Sequence, residues 1–211
     1  MAKHFEFTGD ERVFEGVTVH RIRALVDLPE LNVVAGDVGG WVESEDNVSD
    51  SAWVMDEAVV CQDARVMDSA VVSGSAVVSG QAKVQGKAKV NGSVTIMDNA
   101  QVCDDVELAG VITVSVNALV CGNALVTGEV LVTDNAQVRD DVEISGKVKF
   151  LGNAQVFGSA LISGSCRIED DAQVFEHAEL YGRVRVKDRA QVHGSAVVYG
   201  KVKIKGKSNV H

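Results

Sequence analysis

The sequence predicts an all-β chain in which one parallel β-sheet is wound into a three-sided helix, with a small β cap at its N-terminal end. Three observations predict it. A six-residue unit repeats 26 times without a gap, from Ser51 to Gly206. Near-identical units such as NAQV recur every 18 residues, or three hexads. The 211 residues include one Pro and 20 Gly, and are 46% hydrophobic but only 5% aromatic. A core drawn from that composition is built of small aliphatic side chains.

Residues 1–44, the expected N-terminal β capping segment, do not follow the hexad. His4–Phe7 and Val17–Leu25 read as strands, with Asp10–Arg12 and Glu15–Gly16 as turn material. Pro29 falls in this segment, and Gly36, Gly39 and Gly40 mark tight turns. A wound sheet leaves an open strand edge at each end, which invites aggregation. The expected job of the head is to cover the first coil, with Trp41 and Trp53 as hydrophobic plugs. The alternative is that Trp41 and its Gly-rich turn bind a partner.

The repeat domain is expected over 45–211, opening on the degenerate unit EDNVSD. Position four of the hexad is Val, Ile or Leu in 25 units and Phe150 in the other. Position two is Ala in 17 units and Val in seven, with Ile112 and Cys166 completing the set. Two apolar residues two apart lie on one face of a strand. Position six is Gly in 15 units and Asp in eight, residues that tolerate left-handed backbone angles. Each unit therefore reads as a short strand and a corner. The scarcity of Pro follows, because stacked strands need their N–H donors. Three strands per turn at a spacing near 4.8 Å give almost nine coils and a rod roughly 40 Å long.

Hexads with a small residue two before an aliphatic, at 18 per coil, resemble the left-handed parallel β-helix of hexapeptide-repeat proteins. The left hand is implied by that resemblance; general crossover rules favour the right. The usual pattern puts Gly directly after the aliphatic, and here it comes one residue later. That departure, and the head motifs Arg21-Ile22-Arg23-Ala24-Leu25-Val26-Asp27, Gly36-Asp37-Val38-Gly39-Gly40-Trp41-Val42-Glu43 and Asn47-Val48-Ser49, are similar to the YdcK-like β-helix proteins of bacteria and phages. The resemblance covers essentially the whole chain. It brings no settled biochemical activity, and it implies a trimer of rods side by side.

Odd positions of the hexad face outward and stack in columns at steps of 18. The first face, counted from Asn99, carries mostly Gln at position three. Its position-five column runs Cys103, Cys121, Arg139, Phe157, Phe175, His193, His211. Stacking explains the aromatic part. Cys103 and Cys121 stand within disulfide reach. The third face is the informative one. Its position-three column reads Val59, Val77, Thr95, Thr113, Leu131, then Lys149, Arg167, Arg185, Lys203. Position one adds Lys147, Arg183 and Lys201. The chain holds 9 Lys/Arg and 24 Asp/Glu up to Gly146, a net of -15, and 11 against 6 after it, a net of +5. The two sum to the overall -10. Like charges on neighbouring strands repel, so the basic column is a candidate site. It would bind an anionic ligand or partner, or pair with an acidic face of a neighbouring subunit (Asp105, Glu107, Asp141, Glu143, Glu179), or simply be solvated. Lys201, Lys203, Lys205 and Lys207 also guard the terminal strand edge.

These features order the function classes. The leading expectation is a non-catalytic rod, a structural or protein-binding module acting as a homotrimer. The alternative is a hexapeptide-type acyltransferase using coenzyme A or acetyl-CoA, with His193 or His177 as general base. Those enzymes usually wall the site with an extruded loop, and 26 uninterrupted hexads supply none. A minor alternative is an acidic DNA mimic, which the basic tail disfavours. No cofactor and no metal site is expected, since a β-helix zinc site needs three convergent His. Nucleic acid is a disfavoured partner. No run of 18 apolar residues calls for a membrane, and the start lacks a secretory pattern. Four Cys without a C-x-x-C fit free thiols, so a cytoplasmic location is expected.

Overall fold

Stacking at a step of 18 residues is the rule from Trp41 to Val210. The computed structural model, which describes residues 3–211, winds the chain into a parallel β-solenoid of about 9 turns. Hexad positions two and four line its axis. Ala118, Val120, Ala136 and Val138 are all fully buried there, and Phe150 is the large exception among small side chains.

The three corners are not equivalent, which corrects the expectation of one strand and one corner per hexad. The first face is a sheet of its own with nine strands, from Arg65–Val66 to Asn209–Val210. The second and third faces join in a 15-stranded sheet. Eight-residue strands such as Glu107–Val114, Leu125–Val132 and Glu179–Val186 run through the corner between them. A column of glycine lets them bend. Gly128 has φ +94, and a Cβ there would stand 2.4 Å from the Gly146 carbonyl oxygen.

The other two corners use carboxylates as well as glycine. Asp104 and Asp140 sit at φ 65 and 64. The Asp104 Oδ2 accepts the Gly122 N–H at 3.1 Å, and the Asp140 Oδ2 accepts the Gly158 N–H at 2.9 Å. The Glu176 Oε2 accepts the Gly194 N–H at 2.7 Å in the same column. An acid on one coil thus closes the glycine corner of the next. Left-handed tolerance explains only half of the Asp preference at position six; the acceptor role explains the rest.

The head has three strands, β1 (Phe5–Phe14), β2 (Val17–Ala24) and β3 (Val38–Val42). They pair antiparallel, and β3 then pairs parallel with Val59–Val60, so the head continues the third face of the solenoid. Two expectations change here. Asp10–Arg12 lie inside β1, where the register shifts between Phe7 and Glu11 around Gly9 at φ 97. Gly39 and Gly40 lie in β3 and are not turns. A Cβ on either would come within 2.6 Å of Val54, so they permit close approach of β3 to the first coil.

Candidate functional site

The third-face column exists as read from the sequence. Pairings link Trp41, Val59, Val77, Thr95, Thr113 and Leu131 without a break, and continue through Lys149, Arg167, Arg185 and Lys203. Val59 is not part of a free surface. It is buried with Val19 and Cys61 under the head, against Phe14 and Val17. A hairpin folded back from the head is invisible to hexad periodicity.

The structure brings all seven basic candidates together. Lys147, Lys149, Arg167, Arg183 and Arg185 line a cleft of about 330 Å³ with Ser165. Arg183 and Arg185 also border a second depression of about 350 Å³ with Lys201 and Lys203. The cleft has a local cause. Position one of the third face is Lys147 and Arg183 on the flanking coils but Ser165 between them. That coil also lacks the continuous strand of its neighbours and is split into Leu161–Gly164 and Arg167–Ile168. A short side chain and a broken strand leave a notch walled by cations.

One acid organises the notch. Glu169 is buried, and it accepts hydrogen bonds from Arg167 Nε and, at 2.6 Å, from Arg185 Nε. Burial opposes its charge, but the Arg185 and Arg167 hydrogen bonds outweigh burial and hold the carboxyl below the usual range. Lys147 pairs with Glu129 at 2.7 Å. Lys149, Arg183, Lys201 and Lys203 have no ion-pair partner among the described residues. Seven cations therefore share two ion-paired carboxylates, Glu129 and Glu169, with Asp188 within the field of Lys203. Two unit charges about 5 Å apart in water repel by roughly 0.8 kcal/mol, so the column works against the stability of the coil stack.

The other candidates sit elsewhere. Trp53 is 1% exposed, although position three points it outward, because the head covers it. Trp41 lies on the outer face between Arg12 at 4.3 Å and Arg21 at 5.0 Å, and its Nε1 donates to Glu57 Oε2 at 3.1 Å. The Arg21 hydrogen bond, then the Trp41 one, hold Glu57 below the usual carboxylate range.

His193 and His177 do not pair. The His193 ring is stacked between Phe175 at 4.8 Å and His211 at 5.7 Å. Its Nε2 is 2.6 Å from Asn209 Oδ1, and its Nδ1 is 3.7 Å from Glu176. His177 is exposed, and its ring has no hydrogen-bond partner among the described residues.

The structure shows features that sequence reasoning missed. Glu169 is one. Another is an amide ladder at position one of the first face, where Asn99, Asn117, Asn135 and Asn153 each donate to the next coil, at 3.2 Å for the first pair. Of the position-three Gln column, Gln155, Gln173 and Gln191 are joined by side-chain hydrogen bonds. All four thiols are free. Burial pushes Cys61 up to about 11, and burial, then the facing Cys121, pushes Cys103 up to about 12. Among the described residues, no helix is long and apolar enough to cross a membrane. Neither the protein-family models nor the curated proteins compared with this chain match it.

Proposed function

We propose that the protein is a non-catalytic β-solenoid rod that docks an acidic protein partner on the basic notch of its third face. The observation that carries this reading is the gathering of seven cations on one face, five of them lining the Ser165 notch and Lys201 and Lys203 the depression beside it, at a cost in like-charge repulsion. An acidic protein surface fits better than a nucleic acid. The neighbouring second face carries Asp141, Glu143 and Glu179, and a continuous phosphate track would meet those carboxylates. The YdcK-like resemblance belongs to the same reading, as does a trimer of parallel rods. The exposed Val111 and Val197, at 61% and 55%, are separate apolar positions on the third and second faces.

The acyltransferase reading has one observation in its favour, the contacts of His193 with Asn209 and Glu176. The same contacts weaken it, since both nitrogens have neighbours and both ring faces are stacked. The deciding experiment titrates the protein with a poly-glutamate peptide and, separately, with duplex DNA. The peptide binds more tightly than DNA, and its affinity falls as salt is raised. Changing Lys149, Arg167, Arg185 and Lys203 together to Ser removes that binding. Equal affinity of this variant and the wild type would overturn the docking site.

A further inference from the structure

Two thiols and a carboxylate meet at the corner after the first face, far along the chain from the basic notch. Cys103 and Cys121 follow directly on strands paired at Gln101↔Leu119 and Val102↔Val120, so they stack on neighbouring coils. Both are free and half-buried. A sulfur from each and a carboxylate oxygen of Asp104 lie within 4.8 Å of one another. The hydrogen bond from Gly122 N–H to Asp104 Oδ2, at 3.1 Å, pins the carboxylate beside the thiols. The next coils put Arg139 and Phe157 in this column, so the donor set occurs at one level of the rod.

We propose that Cys103, Cys121 and Asp104 bind a soft divalent metal ion of the zinc and cadmium class. Thiolate and carboxylate are both zinc ligands, and thiolate selects the softer ions. A tetrahedral ion with Zn–S bonds near 2.3 Å sets its sulfurs about 3.8 Å apart. That separation lies within the 4.8 Å limit that holds for the three ligand atoms, so the cluster has the size such an ion requires. Three protein ligands leave a fourth position open to water or to an incoming ligand. Of the charges that act on the Cys121 thiol, Asp104 and Asp140 are anionic and Arg139 is cationic, so the local balance favours a cation. Binding converts two thiols to thiolates and releases their protons to solvent. The ion then ties two consecutive coils together. This site is independent of the docking reading and survives its failure.

The test uses the full chain, kept reduced with a phosphine. Cd²⁺ is titrated and followed by the ultraviolet thiolate-to-cadmium charge-transfer absorption, and Zn²⁺ uptake is measured by equilibrium dialysis. The wild type takes up one ion per chain with the absorption of two thiolates. Cys103→Ser and Cys121→Ser each lose about half of the absorption per bound ion and weaken uptake more than the ~100-fold upper end seen for outer-shell losses. Asp104→Asn keeps the absorption and weakens uptake by at least the ~10-fold seen for outer-shell losses. Cys166→Ala, which restores the common position-two residue, changes neither. No uptake by the reduced wild type overturns the proposal, whatever the variants do. So does uptake that persists in the Cys103→Ser/Cys121→Ser double variant, or a chain that yields only a Cys103–Cys121 disulfide and takes up no metal when reduced.

Discussion

Changing Glu169 to Gln separates the electrostatics of the notch from its shape. Removing one partner from a fully buried ion pair costs about 3–5 kcal/mol, and from an exposed pair roughly 0.2–1 kcal/mol. Here the acid is 7% exposed in its side chain, while Arg167 and Arg185 are 46% and 44% exposed. The arginines can turn to water once the charge is gone, so the loss lies between those limits, at about 1–2 kcal/mol. The sign of the pH dependence follows from the carboxyl being held below its ordinary range. Its stabilisation is complete above the unfolded value near 4.3 and is lost as pH falls through the folded value. Urea denaturation followed by circular dichroism, at neutral pH and at steps down to about pH 3, should show a gap that closes on acidification. An equal midpoint at neutral pH, or a gap that persists in acid, would refute the assignment. Partner binding gives a second readout. The variant adds one net positive charge to the notch, so an acidic peptide binds it more tightly although the fold is weaker. A merely damaged fold would lose both.

Two further expectations concern the frame. Val120 is fully buried between Val102 and Val138. Val120→Asp places an unpaired charge in a dry interior and costs roughly 4 kcal/mol or more; a soluble variant that melts with the wild type would contradict that core. Gly128→Ala meets both a φ of +94 and a Gly146 oxygen at 2.4 Å, whereas Gly206 at φ +74 has nothing within 4 Å of its added Cβ. Gly206→Ala should cost about 1–2 kcal/mol and Gly128→Ala at least ~2 kcal/mol more, and equal shifts in melting temperature would show that coil spacing is not set by the glycine column.

The stacked architecture was legible because a single rule, hexad times three, places nearly every inward residue. The same rule assembles the Lys149–Lys203 column and the Phe157, Phe175, His193 stack from sequence alone. It failed where neighbours from outside the rule decide the outcome. Val59 and Trp53 point outward by position, yet both are covered by the head. Glu169 stands at an outward position, and its burial comes from Arg167 on its own coil and Arg185 on the next. Asp at position six looked like a conformational choice, because its partner N–H lies 18 residues on. Gly39 and Gly40 looked like turns, because close approach of Val54 leaves no mark in local sequence. The exceptional hexad SCRIED did carry a signal: it alone has Cys at position two and an acid at position five among basic neighbours.

That hexad also tests whether charge or shape makes the site. Ser165 is exposed and stands where the flanking coils have Lys147 and Arg183. Ser165→Lys restores the regular basic column and raises the positive charge by one. If the face acts only through its field, an acidic peptide should bind the variant more tightly, with a steeper loss on adding salt. If the notch is the site, the new side chain fills the cleft of about 330 Å³ and binding weakens despite the added charge. The stability cost is small either way, a few tenths of a kcal/mol for a like-charge neighbour on an adjacent strand, so binding and folding are read independently. The docking reading requires the weaker binding. Concavity is what distinguishes this stretch of the face from a row of solvated lysines, and tighter binding by Ser165→Lys would remove the notch from the function.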